Sequence, residues 1–151
     1  MSIVFIMVVL MQVSDNAARN RIEFTKDSLK VVRENVEKNK AVLVDVRSEK
    51  EWQQGHIEGA IFLPVTSLRK GGDPKMLAKK LPKKRILYTF CMVGMRARTA
   101  AFELEKHGYT VRALKPGYED LLKAGFQNEE DEPMEQPAKQ EAPAAQQEGA
   151  R

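Results

Sequence analysis

Two short apolar runs constrain the fold of this 151-residue chain most: AVLVDV at residues 41–46 and RILYTF at residues 85–90. Runs of this length that are rich in β-branched or aromatic residues are typical of strands buried on both faces, as in a parallel sheet. Parallel strands need crossover connections, and helical segments lie around both runs. The sequence therefore predicts an α/β domain, with a mainly parallel central sheet flanked by helices on both faces.

Capping residues mark the starts of two predicted helices. Thr25 or Asp27 is the expected N-cap of the first helix, whose apolar positions 29, 32 and 36 share one face. Asp73 and Pro74 form the expected start of a helix at residues 75–80. The other predicted elements are helices at residues 49–54, 97–107 and 118–124 and a third strand at residues 109–114.

The last 25 residues differ from the rest in composition and charge. Residues 127–151 are rich in Glu, Gln, Pro and Ala and carry a charge of −5, against +9 for residues 1–126. A segment with so few apolar residues cannot offset its ordering entropy, so we expect a disordered acidic tail after one domain at residues 22–126. The basic domain attracts small anions, but its lysines lack interleaved aromatic residues, which argues against a nucleic-acid partner.

The N-terminal segment, residues 1–21, contains eleven apolar-rich residues, IVFIMVVLMQV, at positions 3–13. This run is shorter than the ~20 residues that span a bilayer, and its length fits the core of a signal peptide. We therefore expect export to the periplasm or beyond. No basic residue precedes the run and no clean A-x-A cleavage pattern follows it, so a cytoplasmic protein with an N-terminal strand or helix packed on the domain stays the alternative.

Cys91 is the only cysteine and directly follows the second apolar run. A lone cysteine excludes an internal disulfide and a zinc-thiolate cluster, and we expect no metal or other cofactor. Ligands of parallel sheets bind beyond the carboxyl ends of the strands, where Cys91 is expected to lie. A cysteine at the end of a strand is also a common core residue, so its position alone leaves packing and chemistry equally open.

The sequence CMVGMR, residues 91–96, forms the segment that we call the Cys91 loop. The backbone N–H groups of Met92, Val93, Gly94, Met95 and Arg96 can point at the sulfur, and the dipole of the following helix adds positive potential. Both effects favour the thiolate. Gly94 permits a positive φ, and Arg96 supplies a cation that faces the substrate or pairs with a carboxylate.

Three segments together resemble the rhodanese-homology family. VLVDVRSEKEWQQGHIEGAIFLP, residues 42–64, is similar to the front half of such a domain; the C-x-x-G-x-R loop follows the next strand, and ALKPGYEDLLKAGF, residues 113–126, resembles the closing segment. The resemblance covers residues 22–126. Pro116-Gly117 and Leu121 depart from the family's Gly-Gly pair and Trp, which implies a stiffer turn and a smaller side chain behind the site.

The resemblance implies a sulfurtransferase in which Cys91 attacks a sulfane sulfur, holds it as a persulfide and passes it to a thiophilic acceptor. The loop amides would stabilise both the thiolate and the outer sulfur. In the family, Asp45 and Arg47 mostly support the fold behind the site. The expected partners are thiosulfate or a persulfide-bearing protein as donor and a thiol as acceptor; the apolar loop side chains leave the donor and the oligomeric state open.

Two further inferences concern the kind of chemistry. Related phosphatases separate their cysteine and arginine by five residues, whereas four separate Cys91 from Arg96, a ring suited to one sulfur atom rather than to phosphate. A catalytically silent interaction module on the same fold is the alternative function. We expect structural roles for His56 and His107, and a core or covering role for Trp52.

Overall fold

The computed structural model describes residues 22–69 and 71–129. In chain order its elements are α1 (Leu29–Glu37), β1 (Ala41–Asp45), α2 (Glu49–Gln53), β2 (His56–Ile57), β3 (Ile61–Phe62), α3 (Val65–Arg69), α4 (Pro74–Lys80), β4 (Ile86–Phe90), α5 (Met95–Lys106), β5 (Val111–Ala113), α6 (Tyr118–Lys123) and β6 (Asn128–Glu129).

Four parallel strands form the central sheet in the order β3-β1-β4-β5. Every residue of β1 is buried, as the unbroken apolar run predicts. The register places Asp45 level with Phe62 of β3 and Phe90 of β4, so three strands end at one edge. The connection that leaves β1 goes to β3 on one side, and the connection that leaves β4 goes to β5 on the other. The gap between the ends of β1 and β4 is therefore a switch point, where α/β folds bind ligands.

Helices cover both faces of the sheet, as predicted. One core cluster packs Val42, Val44 and Leu87 of the sheet against α3, α4 and α5. The other packs Leu43 and Tyr88, with their strand neighbours, against α1 and α6. Successive residues of β1 and β4 therefore point into the two opposite cores. This explains why apolar and polar residues do not alternate along either strand.

The predicted cap of α1 is wrong, because Ser28 is the N-cap. The Ser28 hydroxyl accepts a hydrogen bond from the Val31 N–H at 3.3 Å. Thr25 instead accepts from the Asp27 N–H at 3.2 Å, and the Asp27 carboxylate accepts hydrogen bonds from Tyr88 and Arg112. The side chains of Thr25 and Asp27, the two predicted caps, therefore accept hydrogen bonds from residues outside α1.

The ordered chain extends beyond the predicted end of the domain at Phe126. Asn128 and Glu129 form β6, which pairs antiparallel with β2 at His56 and Ile57. The first residues of the segment that the sequence predicts to be a disordered tail therefore pair with β2. Residues 130–151 and the apolar segment 1–21 lie outside the described residues, so neither prediction is tested there. Among the helices at residues 22–69 and 71–129, none has the length and apolar content needed to cross a membrane.

Candidate active site

Cys91 lies at the carboxyl end of β4 with its side chain buried. Its Sγ accepts a hydrogen bond from the Gly94 N–H at 3.1 Å. Gly94 is the N-cap of α5 and has φ +85°, the left-handed conformation that the sequence predicts. A Cβ at Gly94 would lie 2.7 Å from the Phe24 ring, so both the conformation and the available space require glycine.

The start of α6 holds the Cys91 loop from the other side. The Tyr118 N–H donates to the Cys91 carbonyl at 2.9 Å. A Cβ at Gly117 would lie 1.9 Å from the Met92 carbonyl oxygen, far closer than any real contact. The sequence alone indicates only a stiff turn at Pro116-Gly117; the structure adds a close backbone approach that fixes the loop.

Arg96 pairs with Glu51 through two parallel hydrogen bonds, Nη1 to Oε2 at 2.6 Å and Nη2 to Oε1 at 2.7 Å. The Arg96 hydrogen bond is the main cause that lowers the pKa of Glu51 to about 2. The same contact is the main cause that raises the pKa of Arg96, and a hydrogen bond and charge interaction with Cys91 add to it. Of the two predicted roles for Arg96, pairing with a carboxylate is the one observed.

Sequence reasoning missed Glu51 as a residue of the site. Its Oε2 also accepts hydrogen bonds from the Ser48 N–H at 2.9 Å and the Ser48 hydroxyl at 2.6 Å, which makes it the second half of the capping box of α2. The S-x-x-E spacing is a recognisable signal for that box. The pairing with Arg96, 45 residues away, has no local signal.

Asp45 and Arg47 are buried together, as expected for an acid at the end of a central strand. Arg47 Nη2 donates to Asp45 Oδ2 at 2.7 Å and to the Gly55 carbonyl at 2.8 Å, and its guanidinium lies 4.0 Å from the Tyr118 ring centroid. The pair therefore joins the end of β1 to the turn before β2 and to α6, the elements that surround the Cys91 loop.

The two histidines have structural partners. The His56 ring stacks on Trp52 with centroids 3.7 Å apart, and its Nδ1 lies 3.3 Å from the Trp52 carbonyl oxygen. Trp52 is half-buried and also packs against Phe62 at 5.0 Å, in keeping with a covering role. His107 Nε2 lies 3.0 Å from the Gly71 carbonyl oxygen, to which its N–H tautomer donates.

The rim of the site is apolar. Met92, Val93 and Met95 are 39%, 73% and 62% exposed, and among the described residues Val31 is the only other large hydrophobic side chain that is exposed. Exposed apolar side chains that cluster in one place often mark a surface that contacts another molecule. The structure therefore places the three apolar side chains of the Cys91 loop in solvent around a buried thiol.

Two cavities border the site. The larger, about 310 Å³, is lined in part by Arg96 and the smaller, about 220 Å³, by Glu51 and Met92. Arg47 contributes to both. Among residues 22–69 and 71–129, no group of His, Cys, Asp and Glu side chains could hold a metal ion.

The fold and the loop define a class of protein with a cysteine at the switch point of a parallel sheet. The model of the rhodanese-like domain family matches residues 28–124. The chain therefore belongs to the rhodanese-like domain family, whose members are associated with sulfur transfer.

Curated relatives and solved structures agree with this family. YrkF of Bacillus subtilis, named provisionally as a sulfur carrier protein, is 25% identical over 70% of this chain and 55% of its own length. MoeZ of Mycobacterium tuberculosis, named provisionally as an adenylyltransferase/sulfurtransferase, is 35% identical over 47% of this chain and 17% of its own. The chain thus spans about half of YrkF and a smaller part of MoeZ.

A rhodanese-related protein from Thermoplasma volcanium has the same fold, with a TM-score of 0.58 and 20% identity over 72% of this chain and all of that one. At this identity the likeness concerns the fold alone.

Proposed function

We propose that this protein is a sulfurtransferase, acting as a thiosulfate sulfurtransferase or as a persulfide sulfur carrier through Cys91. The observation that carries the proposal is the hydrogen bond from the Gly94 N–H to Cys91 Sγ, at the strand end where the family model matches. A backbone N–H that points at this sulfur, at the start of a helix, can stabilise negative charge that develops on the sulfur during the reaction. The names of YrkF and MoeZ support sulfur transfer as the class of reaction.

The proposed reaction has two steps. The Cys91 thiolate attacks the outer sulfur of thiosulfate; a new S–S bond forms, the old one breaks, and sulfite leaves with its electron pair. The thiolate of an acceptor then attacks the outer sulfur of the persulfide, and Cys91 leaves as thiolate. The donor's sulfane sulfur ends on the acceptor with no external oxidant, as covalent nucleophilic catalysis requires.

The arrangement of charge supports a modest rate with inorganic thiosulfate. Glu51 neutralises Arg96, so the nearest cation of the loop is already paired. The apolar rim offers no replacement at Met92, Val93 or Met95. Attraction of a dianion then depends on the basic domain as a whole, which salt screens.

Intact mass spectrometry after incubation with thiosulfate tests the proposal. We expect a gain of one sulfur, about 32 Da, that dithiothreitol removes and that Cys91→Ser abolishes. A cyanide-coupled assay of the same two proteins should show thiocyanate formation by the wild type alone. Equal turnover of both proteins would contradict the proposal.

The apolar rim favours a second candidate, a catalytically silent interaction module that uses the Cys91 loop as a contact surface. No mass gain with thiosulfate would support this candidate, together with a Cys91 that reacts with iodoacetamide no faster than free cysteine below neutral pH.

We also propose export, from the apolar run at residues 3–13. Cell fractionation followed by N-terminal sequencing tests it. Uncleaved protein found only in the cytoplasm would contradict it.

A further inference from the structure

Strand β6 runs toward the smaller cavity beside the Cys91 loop. Its antiparallel pairing with β2 sets Glu129 level with His56. Because the two strands run in opposite directions, the chain beyond Glu129 continues toward Gly55, the residue before His56. Gly55 and Met92 of the Cys91 loop line the same cavity. The chain therefore leaves the domain beside the loop that carries the nucleophile.

The direction of β6 is fixed by contacts at the cavity wall. The Tyr118 hydroxyl donates to Asn128 Oδ1 at 2.5 Å, and a Cβ at Gly55 would lie 2.9 Å from the same oxygen. His56 Nε2 lies 3.8 Å from Glu129 Oε2. Tyr118 and Gly55 both line the smaller cavity. The residues that hold β6 are thus partly the residues that form the cavity.

The sequence that follows β6 is acidic and contains one large apolar side chain. EDEPME, residues 130–135, has four carboxylates, no basic residue and one methionine, Met134. The five residues from Glu129 to Met134 span at most about 17 Å when extended. Gly55 and Met92 line one cavity of about 220 Å³, so this tether reaches the Cys91 loop. Its short length keeps the entropic cost of closing the loop low.

The surface within reach of this segment is apolar in the middle and charged at its edges. Three exposed apolar side chains of the Cys91 loop form the middle. Glu119 lines the smaller cavity, where it disfavours a second carboxylate. Lys115 is exposed at another edge, with its Cα 3.2 Å from the position of a Cβ at Gly94. The methionine of the segment therefore suits the apolar rim, and its carboxylates suit the edge with the lysine.

We propose that residues 130–135 fold back across the smaller cavity and place Met134 on the apolar rim, so that the chain's own acidic segment covers Cys91. The cover slows neutral reagents by its bulk and anionic reagents by its charge as well. Thiosulfate, a dianion, belongs to the second kind. The cover controls access to the thiol, so it does not depend on the sulfurtransferase reaction proposed above.

Methyl NMR of the full chain tests the position of Met134 directly. The seven methionines, labelled with ¹³C at the ε-methyl group, give seven signals. We expect nuclear Overhauser effects between Met134 and Met92 or Met95. Met76 is the control, because it packs against the core from α4, and it should show no such effect with Met134. A Met134 methyl group without contact to the Cys91 loop would overturn the proposal.

Alkylation of Cys91 measures what the cover does to access. Rates with neutral iodoacetamide and anionic iodoacetate, two reagents of similar size, are compared at one pH. Met134→Gln should raise both rates about three- to tenfold, the effect of releasing one partly buried methionine side chain. Asp131→Asn/Glu132→Gln should raise the iodoacetate rate more than the iodoacetamide rate, and added salt should shrink that difference.

Two control variants move or match these features within the same tail. Met134→Gln/Ala142→Met shifts the methionine to position 142, and should react as fast as Met134→Gln. Glu141→Gln/Glu148→Gln also removes two charges, and should change the iodoacetate rate far less than Asp131→Asn/Glu132→Gln does. Equal alkylation rates in wild type and Met134→Gln, or equal changes in the two charge variants, would overturn the proposal.

Dilution identifies the chain that supplies the segment. A tether of five residues gives a high effective concentration within one molecule, so the alkylation rate should not depend on protein concentration. A rate that rises on dilution would assign the segment to a second copy of the chain and overturn the proposal. If Cys91 never gains sulfur from thiosulfate but the Met134 contact is observed, the cover stands and the sulfurtransferase function fails.

Discussion

At the scale of single residues, Glu51 has an unusual combination of roles. It completes the capping box of α2 with Ser48 and holds both Nη atoms of Arg96 beside Cys91. One carboxylate therefore ties a short helix to the Cys91 loop. Its charge is needed for both tasks, which makes the site sensitive to its protonation.

Glu51→Gln should lower the free energy of unfolding near neutral pH by about 1 kcal/mol, a value discounted for solvent screening of a partly exposed pair. The folded-state pKa of Glu51 is about 2, below its ordinary value of 4.5, so its contribution is complete above about pH 4.5 and is lost as the pH falls to about 2. Urea unfolding of the wild type and of Glu51→Gln at several pH values in this range measures the difference in unfolding free energy. The difference should disappear as the pH approaches about 2.

Glu58→Gln is the matched control, because Glu58 is exposed in the turn after β2. It removes the same charge without touching Arg96. Two outcomes would contradict the role assigned to Glu51. The loss of unfolding free energy in Glu51→Gln could stay constant down to about pH 2, or it could equal the loss in Glu58→Gln.

At the scale of elements, the Cys91 loop is positioned from both ends. The N-terminus of α5 supplies the Gly94 N–H, and the start of α6 supplies the Tyr118 N–H and the close approach of Gly117. The loop conformation therefore depends on an element that lies more than twenty residues later in the chain.

Gly117→Ala should reduce sulfur transfer about 10- to 100-fold, because the new methyl group would displace the Met92 carbonyl and with it the loop. Gly117 has φ −99°, which alanine adopts freely, so the effect comes from the contact alone. Single-turnover transfer from thiosulfate, followed by mass, measures it.

Gly59→Ala provides the complementary control. Gly59 has φ +73° and open space around its Cβ position, so alanine there should cost about 1–2 kcal/mol of stability without moving the site. Gly59→Ala should retain the wild-type transfer rate. If Gly117→Ala also retained it, the close approach would have no part in holding the loop.

The sequence predicts elements better than it predicts the contacts between them. Strands β1 and β4 and the Asp73 cap of α4 follow from local patterns, and the structure confirms them. Strands β2 and β6 have two residues each, too few for any periodic signal. The Glu51–Arg96 pair and the Gly117 contact join distant segments, so no local pattern reveals them.

At the scale of the whole molecule, a polar network joins three distant segments on the α1 side of the sheet. The Tyr88 hydroxyl donates to Asp27 Oδ2 at 2.5 Å and accepts from Asn35 Nδ2 at 3.0 Å, and Arg112 Nη1 donates to the same Asp27 oxygen at 2.6 Å. The Tyr88 hydrogen bond is the main cause that lowers the pKa of Asp27. The network anchors the chain before α1 to β4 and β5.

Tyr88→Phe should lower the free energy of unfolding by about 1–3 kcal/mol, because Asp27 and Asn35 each lose a partner. The contribution of Asp27 is present above its ordinary pKa of 3.8 and is lost as the pH falls through its lower folded-state value, so the variant should be less sensitive to acid than the wild type. Thermal unfolding at several pH values measures both effects.

Tyr109→Phe is the control, because its ring is buried and its hydroxyl makes no hydrogen bond within the part of the chain described. It should change stability by well under 1 kcal/mol. Similar losses in the two variants would show that the network contributes nothing beyond ring packing.

The stack of Trp52 on His56 gives the protein a built-in optical probe. Trp52 is the only tryptophan of the chain, follows Glu51 in α2 and lies 3.7 Å from the imidazole ring. Intrinsic fluorescence excited at the red edge therefore originates from one indole. That indole lies in α2, the helix whose Glu51 binds Arg96. Any displacement of α2 would alter the emission, so a movement of this helix can be detected in real time without a label.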